Sequence, residues 1–263
     1  MKLIFLIFII LWLNYLSLNF AERIAVFGGS GRTGSECVYQ ALKSGKKVSV
    51  LARDPKKVCI PEGSGGSSAG SLIIDDNLLV VQGDVKNQED VEKIFDQKIS
   101  GVIVALGGRT KEVGTTMLTD GTTNIVKAMK KKSVKRIAVI TSIGCGDSAQ
   151  QAPFSFRMLM RTVMKKVIKD KNNQEKLFLE GPGSSLEYCI IRPGGLGTGR
   201  PTGVVNVIDG QAGSIHRADV ADFCLQAVTN PNFPFIKKTP CISSVGGTGW
   251  EKSGEGFDAP TKG

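Results

Sequence analysis

Residues 23–38, RIAVFGGSGRTGSECV, place four glycines in seven positions directly behind an apolar run. Ile24, Ala25, Val26 and Phe27 form a run too short and too apolar for a surface helix, and fit a buried strand. Behind the glycines, Val38, Ala41 and Leu42 recur at helical spacing. Strand, glycine turn and helix in that order make the setting of a nucleotide-binding loop. Backbone N–H groups at a helix N-terminus hold phosphate oxygens, the helix dipole favours the anion, and glycine keeps side chains clear of it. Gly29, Gly31 and Gly34 fit a G-x-G-x-x-G spacing, while Gly28, Gly31 and Gly34 fit G-x-x-G-x-x-G.

Five more apolar runs follow: KVSVLA (47–52), LLVVQGD (78–84), GVIVALG (101–107), RIAVIT (136–141) and EYCIIRP (187–193). Helical patterns at 34–44, 87–97, 116–131, 155–180 and 218–228 lie among and after them. This alternation predicts an α/β fold, a doubly wound parallel sheet of Rossmann type with its ligand site at the carboxyl ends of the strands. One domain over 22–245 accommodates it. PEGSGGSSAGS (61–71) reads as a flexible surface loop, and 246–263, without an apolar period, as a flexible tail.

Residues 1–21 form a hydrophobic leader whose only charge is Lys2, and the run from Leu3 to Leu13 resembles the h-region of a secretory signal peptide. The leader points to the secretory or endomembrane route. The six cysteines pull the other way: they are scattered, without a C-x-x-C pair, and suit a reducing compartment such as cytosol or plastid. Neither a metal site nor a disulfide framework is expected from them. The formal charge of +10 is carried largely by runs such as KAMKKKSVKR, read as solvated helix faces. No nucleic-acid motif accompanies the charge, so no nucleic-acid partner is expected. The basic, methionine-rich stretch 154–169 is an amphipathic helix that could dock a protein partner or a membrane surface, or turn its apolar stripe to the core.

The strand ends should carry the chemistry. A carboxylate at the tip of the second strand bonds the ribose of NAD, whereas an arginine accommodates the extra phosphate of NADP. Arg53 stands at that tip with Lys56 and Lys57 behind it, which favours NADP(H); Asp54 keeps NAD(H) possible. Asp84 and Val85 end the third strand where an adenine could lie, and Gly107 and Gly108 end the fourth. Thr141 and Ser142 end the fifth, presenting hydroxyls towards the nicotinamide end.

Taken together, FGGSGRTG, LARDPKK, GDV, VALGG, VITSIG, DKNNQEKLFLEGPGSSLEYCIIRPGGL and IHRADVADFCLQAV resemble the atypical short-chain dehydrogenase/reductase superfamily, in the branch of NAD(P)H-binding proteins related to NmrA-like proteins and biliverdin-IXβ/flavin reductase. The resemblance runs from Ile24 to Ser243. It implies a phosphate loop of Gly28, Gly31 and Gly34 with Ser30, Arg32 and Thr33 lining the pyrophosphate, and a 2′-phosphate contact from Arg53, beside which the residues themselves offer Lys57. It further implies an adenine pocket at Asp84 and Val85, a ribose wall at Ala105, Leu106 and Gly107, and a loop over the nicotinamide at Pro193, Gly194 and Gly195. Ser142 matches the serine after the fifth strand, and Lys171 the positive group of the matching helix; these two are the catalytic candidates.

Most enzymes of the wider superfamily use a Tyr-x-x-x-Lys pair, in which lysine lowers the phenol pKa for proton exchange. No such pair is expected here, with Tyr15 in the leader, Tyr39 in the first helix and Tyr188 in the sixth strand. The resemblance then implies hydride transfer from NADPH to a small-molecule acceptor that needs little acid–base help, such as a flavin or linear tetrapyrrole. The alternative is a non-catalytic redox sensor or assembly factor. His216 would serve as a proton donor only if the fold carried it to the cleft, and Asp219 is expected to anchor the helix it opens.

Overall fold

The computed structural model describes residues 22–108 and 115–248. The leader, and the signal-peptide reading that rests on it, lie outside the described residues, as do residues 249–263. Six strands, β1 (Arg23–Phe27), β2 (Lys47–Ala52), β3 (Leu78–Gln82), β4 (Gly101–Val104), β5 (Arg136–Ile140) and β6 (Glu187–Pro193), pair in parallel in the order β3-β2-β1-β4-β5-β6. The sheet continues through β10 (Cys241–Ser243), parallel to β6, to β8 (Asn206–Val207), which runs antiparallel. This is the doubly wound Rossmann-type sheet that the alternating pattern predicts.

Both faces are covered, which explains why the central strands read as unbroken apolar runs. Along β1, Ile24 and Val26 face one core with Val38 and Ala41 of α1 (Arg32–Lys43) and Phe223 of α6 (Arg217–Thr229). Ala25 and Phe27 face the other, with Ile94 of α2 (Gln88–Ile94), Met129 of α3 (Met117–Lys131) and Phe178 of α5 (Lys165–Leu179). Burial also governs the thiols. Five of the six cysteines are buried and Cys59 alone is half-buried; burial pushes the Cys145 thiol up to about 12. Iodoacetamide at pH 8 is therefore expected to modify Cys59 alone in the native protein and all six thiols after denaturation. Two or more rapidly modified native thiols, counted by mass spectrometry, would contradict this packing.

Three local expectations are corrected. The pattern over 155–180 is two helices, α4 (Phe154–Arg161) and α5, separated at Thr162, whose ψ of −89° leaves the helical region. Thr162 Oγ1 donates to the Met158 carbonyl at 2.9 Å, and the β-branched pair Thr162–Val163 favours the break. The loop over 61–71 is tied down: the buried Glu36 carboxylate accepts from the N–H groups of Gly63 at 3.0 Å and Ser64 at 3.2 Å, and Cys59 bridges to Leu72. Finally, β11 (Val245–Thr248) pairs with β9 (Gln211–His216), which pairs with β7 (Gly195–Gly197) in a second small sheet. Three residues of the segment read as tail thus gain order from a ladder that an apolar period does not reveal. Among the described residues, no helix is long and apolar enough to cross a membrane.

Candidate functional site

The strand order reverses at β1, whose Phe27 lies in register with Leu51 of β2 and Val104 of β4. In sheets of this kind the crevice beyond that reversal is where ligands bind. The next residues on β1 and β4, Gly28 and Ala105, meet there. Gly28 has φ +90°, and a Cβ on it would collide with the Ala105 carbonyl. A Cβ on Gly34 would strike the Gly28 carbonyl, so the first turn of α1 is pressed against the glycine turn. Gly31 N–H closes that turn on the Gly28 carbonyl at 2.9 Å.

No side chain caps α1, no acid stands in its first turn, and Arg32 opens it. Uncapped N–H groups, the helix dipole and glycine clearance together fit the pyrophosphate of a dinucleotide. Ser30, Gly31 and Arg32 are exposed and Thr33 half-buried beside it. A cavity of about 160 Å³ borders Ser30, Gly31, Arg32 and Lys57, and also Thr198 and Arg217, which the sequence reading did not anticipate. Burial and the neighbouring Arg32 charge lower the Arg217 pKa against the opposing pull of the Glu62 carboxylate, and Arg217 Nη1 donates to the Gly197 carbonyl at 2.9 Å and to Thr198 Oγ1 at 3.0 Å. Two cations that repel each other beside a helix N-terminus suit an anion.

At the tip of β2, Arg53 is exposed. Asp54 is engaged locally: its Oδ1 accepts from Lys56 N–H at 3.1 Å, capping the turn Pro55–Lys57, and its Oδ2 lies 3.8 Å from Lys57 Nζ. Asp84 Oδ1 accepts from Lys86 N–H at 2.9 Å, while Asn124 Nδ2 donates to the Val85 carbonyl at 3.1 Å and so fixes the loop after β3. Ala105 and Leu106 are half-buried, and among the described residues nothing lies within 4 Å of where a Cβ on Gly107 would stand.

Beyond β5 and β6 the structure brings Ser142 and Lys171 together. Ser142 is half-buried, its Oγ donating to the Ile143 carbonyl at 3.0 Å. Lys171, on α5, donates through Nζ to the carbonyl of the preceding residue, Thr141, at 3.0 Å, and burial lowers its pKa. Ile143 N–H donates to the Pro193 carbonyl at 3.1 Å and Gly194 N–H to the Ile242 carbonyl at 3.0 Å, which sets Pro193, Gly194 and Gly195 beside Ser142.

Beneath them runs a buried network that the sequence reading missed. Thr141 Oγ1 donates to Glu175 Oε1 at 2.7 Å, Arg192 reaches Glu175 through Nη2 at 2.6 Å and Nε at 3.1 Å, and Arg192 Nη1 pairs with Asp147. The one trace in sequence is that Glu175 follows Lys171 by four positions, on the same helix face. His216 Nδ1 lies 2.9 Å from the Arg200 carbonyl. Asp219 anchors a loop, accepting from Thr202 N–H at 2.7 Å and Gly203 N–H at 3.0 Å.

The expectation that no tyrosine is followed by lysine at the fourth position is wrong. The Tyr-x-x-x-Lys spacing does occur once, from Tyr39 to Lys43 in α1, with Lys43 Nζ 5.4 Å from the ring centroid. It stands at the wrong end of the molecule: α1 starts at the carboxyl end of β1 and returns towards Lys47 at the amino end of β2. At the helix that carries Lys171, the position four residues earlier is the buried Val167.

An uncharacterised chloroplastic protein of Arabidopsis thaliana is 28% identical over 222 residues, covering 81% of this chain and 74% of that protein. Among solved structures, ChuY of Escherichia coli O157:H7, titled an anaerobillin reductase, superposes with a TM-score of 0.65 at 20% identity, covering 88% of this chain and all of that one. A short-chain dehydrogenase/reductase of Veillonella parvula in complex with NADP superposes with a TM-score of 0.68 at 16% identity, covering 86% and 96%. The family model described as NAD(P)H-binding matches residues 28–231, and with that match the chain belongs to the NAD(P)H-binding family.

Proposed function

We propose that this protein is an NADPH-dependent reductase that passes hydride to a flavin- or tetrapyrrole-like acceptor without a Tyr-x-x-x-Lys pair at the acceptor end. The observation that carries the reading is the junction of Gly28 with Ala105 at the strand reversal, beside the uncapped first turn of α1. The chemistry that a bound dinucleotide supplies is hydride donation. The chain's own residues bind and orient: Ser30, Arg32 and Thr33 at the pyrophosphate, Arg53 and Lys57 at a 2′-phosphate, and Asp84 and Val85 at the adenine. Lys171 holds a proton at Nζ, where burial lowers its pKa and makes it a readier donor near Ser142. ChuY is described as an anaerobillin reductase, which supports a bilin-like acceptor for a chain of the same fold.

The preference for NADP(H) draws on Arg53, exposed at the β2 tip, and on Asp54, engaged by its own turn. Arg53→Ser is expected to weaken NADPH binding about tenfold or more and to leave NADH binding unchanged. Equal losses for both cofactors in a fluorescence titration would remove the 2′-phosphate role. NADPH oxidation with FMN or biliverdin as acceptor tests the activity.

A second reading, a non-catalytic NAD(P)H-binding sensor or assembly factor, is favoured by one observation: Phe154, Met158, Leu159 and Val163 are exposed, although Met160 is buried. NADPH binding without turnover on any acceptor would decide for it.

A further inference from the structure

Helix α4 turns large apolar side chains to solvent although its opposite face already packs. Met160 and Phe156 point into a small core with Ile143 and Ile208. On the other side, Phe154, Met158 and Arg161 stand at positions i, i+4 and i+7, one stripe along the helix. Phe154 is 69% exposed and Met158 48%, and past the break at Thr162, Val163 is 65% exposed. Packing of the fold does not account for this stripe.

Cations frame it. Arg157, Arg161, Lys165 and Lys169 border the cleft between α4 and α5, and no carboxylate lines that cleft. With Lys166 they make five cations and no acid over residues 154–169, and among the described residues none of the five forms an ion pair. Lys165 and Lys166 open α5, where no side chain caps the helix and no acid stands in the first turn. Positive charge there opposes the helix dipole, so folding alone does not favour the placement. The Arg157 guanidinium lies 5.8 Å from the centroid of the Phe154 ring, which sets one of the charges against the apolar stripe itself.

We infer that this face of α4, with the start of α5, docks on an anionic membrane surface: Phe154 and Met158 enter among the acyl chains and the five cations meet the lipid phosphates. Aromatic and aliphatic residues on one side with lysine and arginine beside them are the pattern of helices that lie in a headgroup layer. An acidic protein would also answer the charge, but three of the five cations are lysines, which protein interfaces deplete. None of these residues borders the cavity beside the phosphate loop, so the inference holds whether or not a bound dinucleotide is turned over.

The test reads the stripe itself. In the full chain, Cys59→Ser removes the half-buried thiol and Met158→Cys supplies an exposed one for the environment-sensitive fluorophore NBD. Binding through the hydrophobic leader, common to every variant, then leaves the label in water. Vesicles of phosphatidylcholine mixed with phosphatidylglycerol are expected to raise NBD emission about threefold or more and shift it to the blue. Phosphatidylcholine alone should not, and high salt should reverse the change. Adding Arg161→Gln, Lys165→Gln and Lys169→Gln, all at exposed positions, is expected to weaken the response to mixed vesicles about tenfold or more and to leave NADPH affinity unchanged. Emission that ignores the mixed vesicles, or that rises equally with both lipids, would overturn the inference. So would a rise with protein concentration alone accompanied by a dimer on sedimentation, which would assign the face to a second copy, or a rise with soluble poly-glutamate in place of vesicles, which would assign it to an acidic protein.

Discussion

Glu175→Gln is expected to lower the stability of the fold by about 3 kcal/mol or more, because it leaves the buried Arg192 guanidinium without its main counter-charge. For a chain of this size that is a fall in melting temperature on the order of 10 °C. Asp147 cannot take over: it touches Arg192 through Nη1 but is largely exposed, and water screens it. Replacing both partners by apolar residues, Glu175→Leu with Arg192→Met, should recover most of the loss, since buried pairs contribute little beyond satisfying each other. A double variant no more stable than Glu175→Gln alone would show that the cost lies in packing or in the Thr141 hydroxyl, which also bonds Glu175. The result matters for function because the network lies directly below Thr141, whose carbonyl holds Lys171.

Gly28→Ala should abolish measurable dinucleotide binding, with NADPH affinity falling about a hundredfold or more, roughly 2.7 kcal/mol. Two effects combine. The left-handed φ of +90° is strained for any L side chain, at a cost of about 1–2 kcal/mol. The new methyl also collides with the Ala105 carbonyl, which cannot move without shifting β4 away from β1. Gly45→Ala separates the two. Gly45 has φ +76° but open space around its missing Cβ, at the far end of α1. It should lose stability by a similar strain and keep its NADPH affinity. Equal binding losses in the two variants would mean that Gly28 acts only through the stability of the fold.

The strands and the phosphate loop were legible in the sequence for a physical reason. A strand buried on both faces needs an unbroken apolar run, and Ile24 to Phe27 could hide in no other way. Gly28 and Gly34 were legible because close backbone approach leaves glycine as the residue that fits. What escaped were features made by distant residues meeting. Glu36 reads as the polar side of an amphipathic helix, yet it is buried and holds Gly63 and Ser64 across 27 and 28 positions. Glu175 and Arg192 meet only once α5 packs against β6. The break at Thr162 was hidden because threonine is tolerated within helices, and a local hydroxyl bond decides the matter. The tyrosine spacing shows the opposite failure: a motif can be present in the chain and still stand where no reaction can use it.

The short antiparallel β8 closes one side of the large sheet with only two residues, Asn206 and Val207, and its neighbour β10 is three residues long. A second copy that approached this margin would find almost no free ladder to extend. The molecule therefore carries its own stop against strand-by-strand growth into fibres on that side, built from brevity instead of charge.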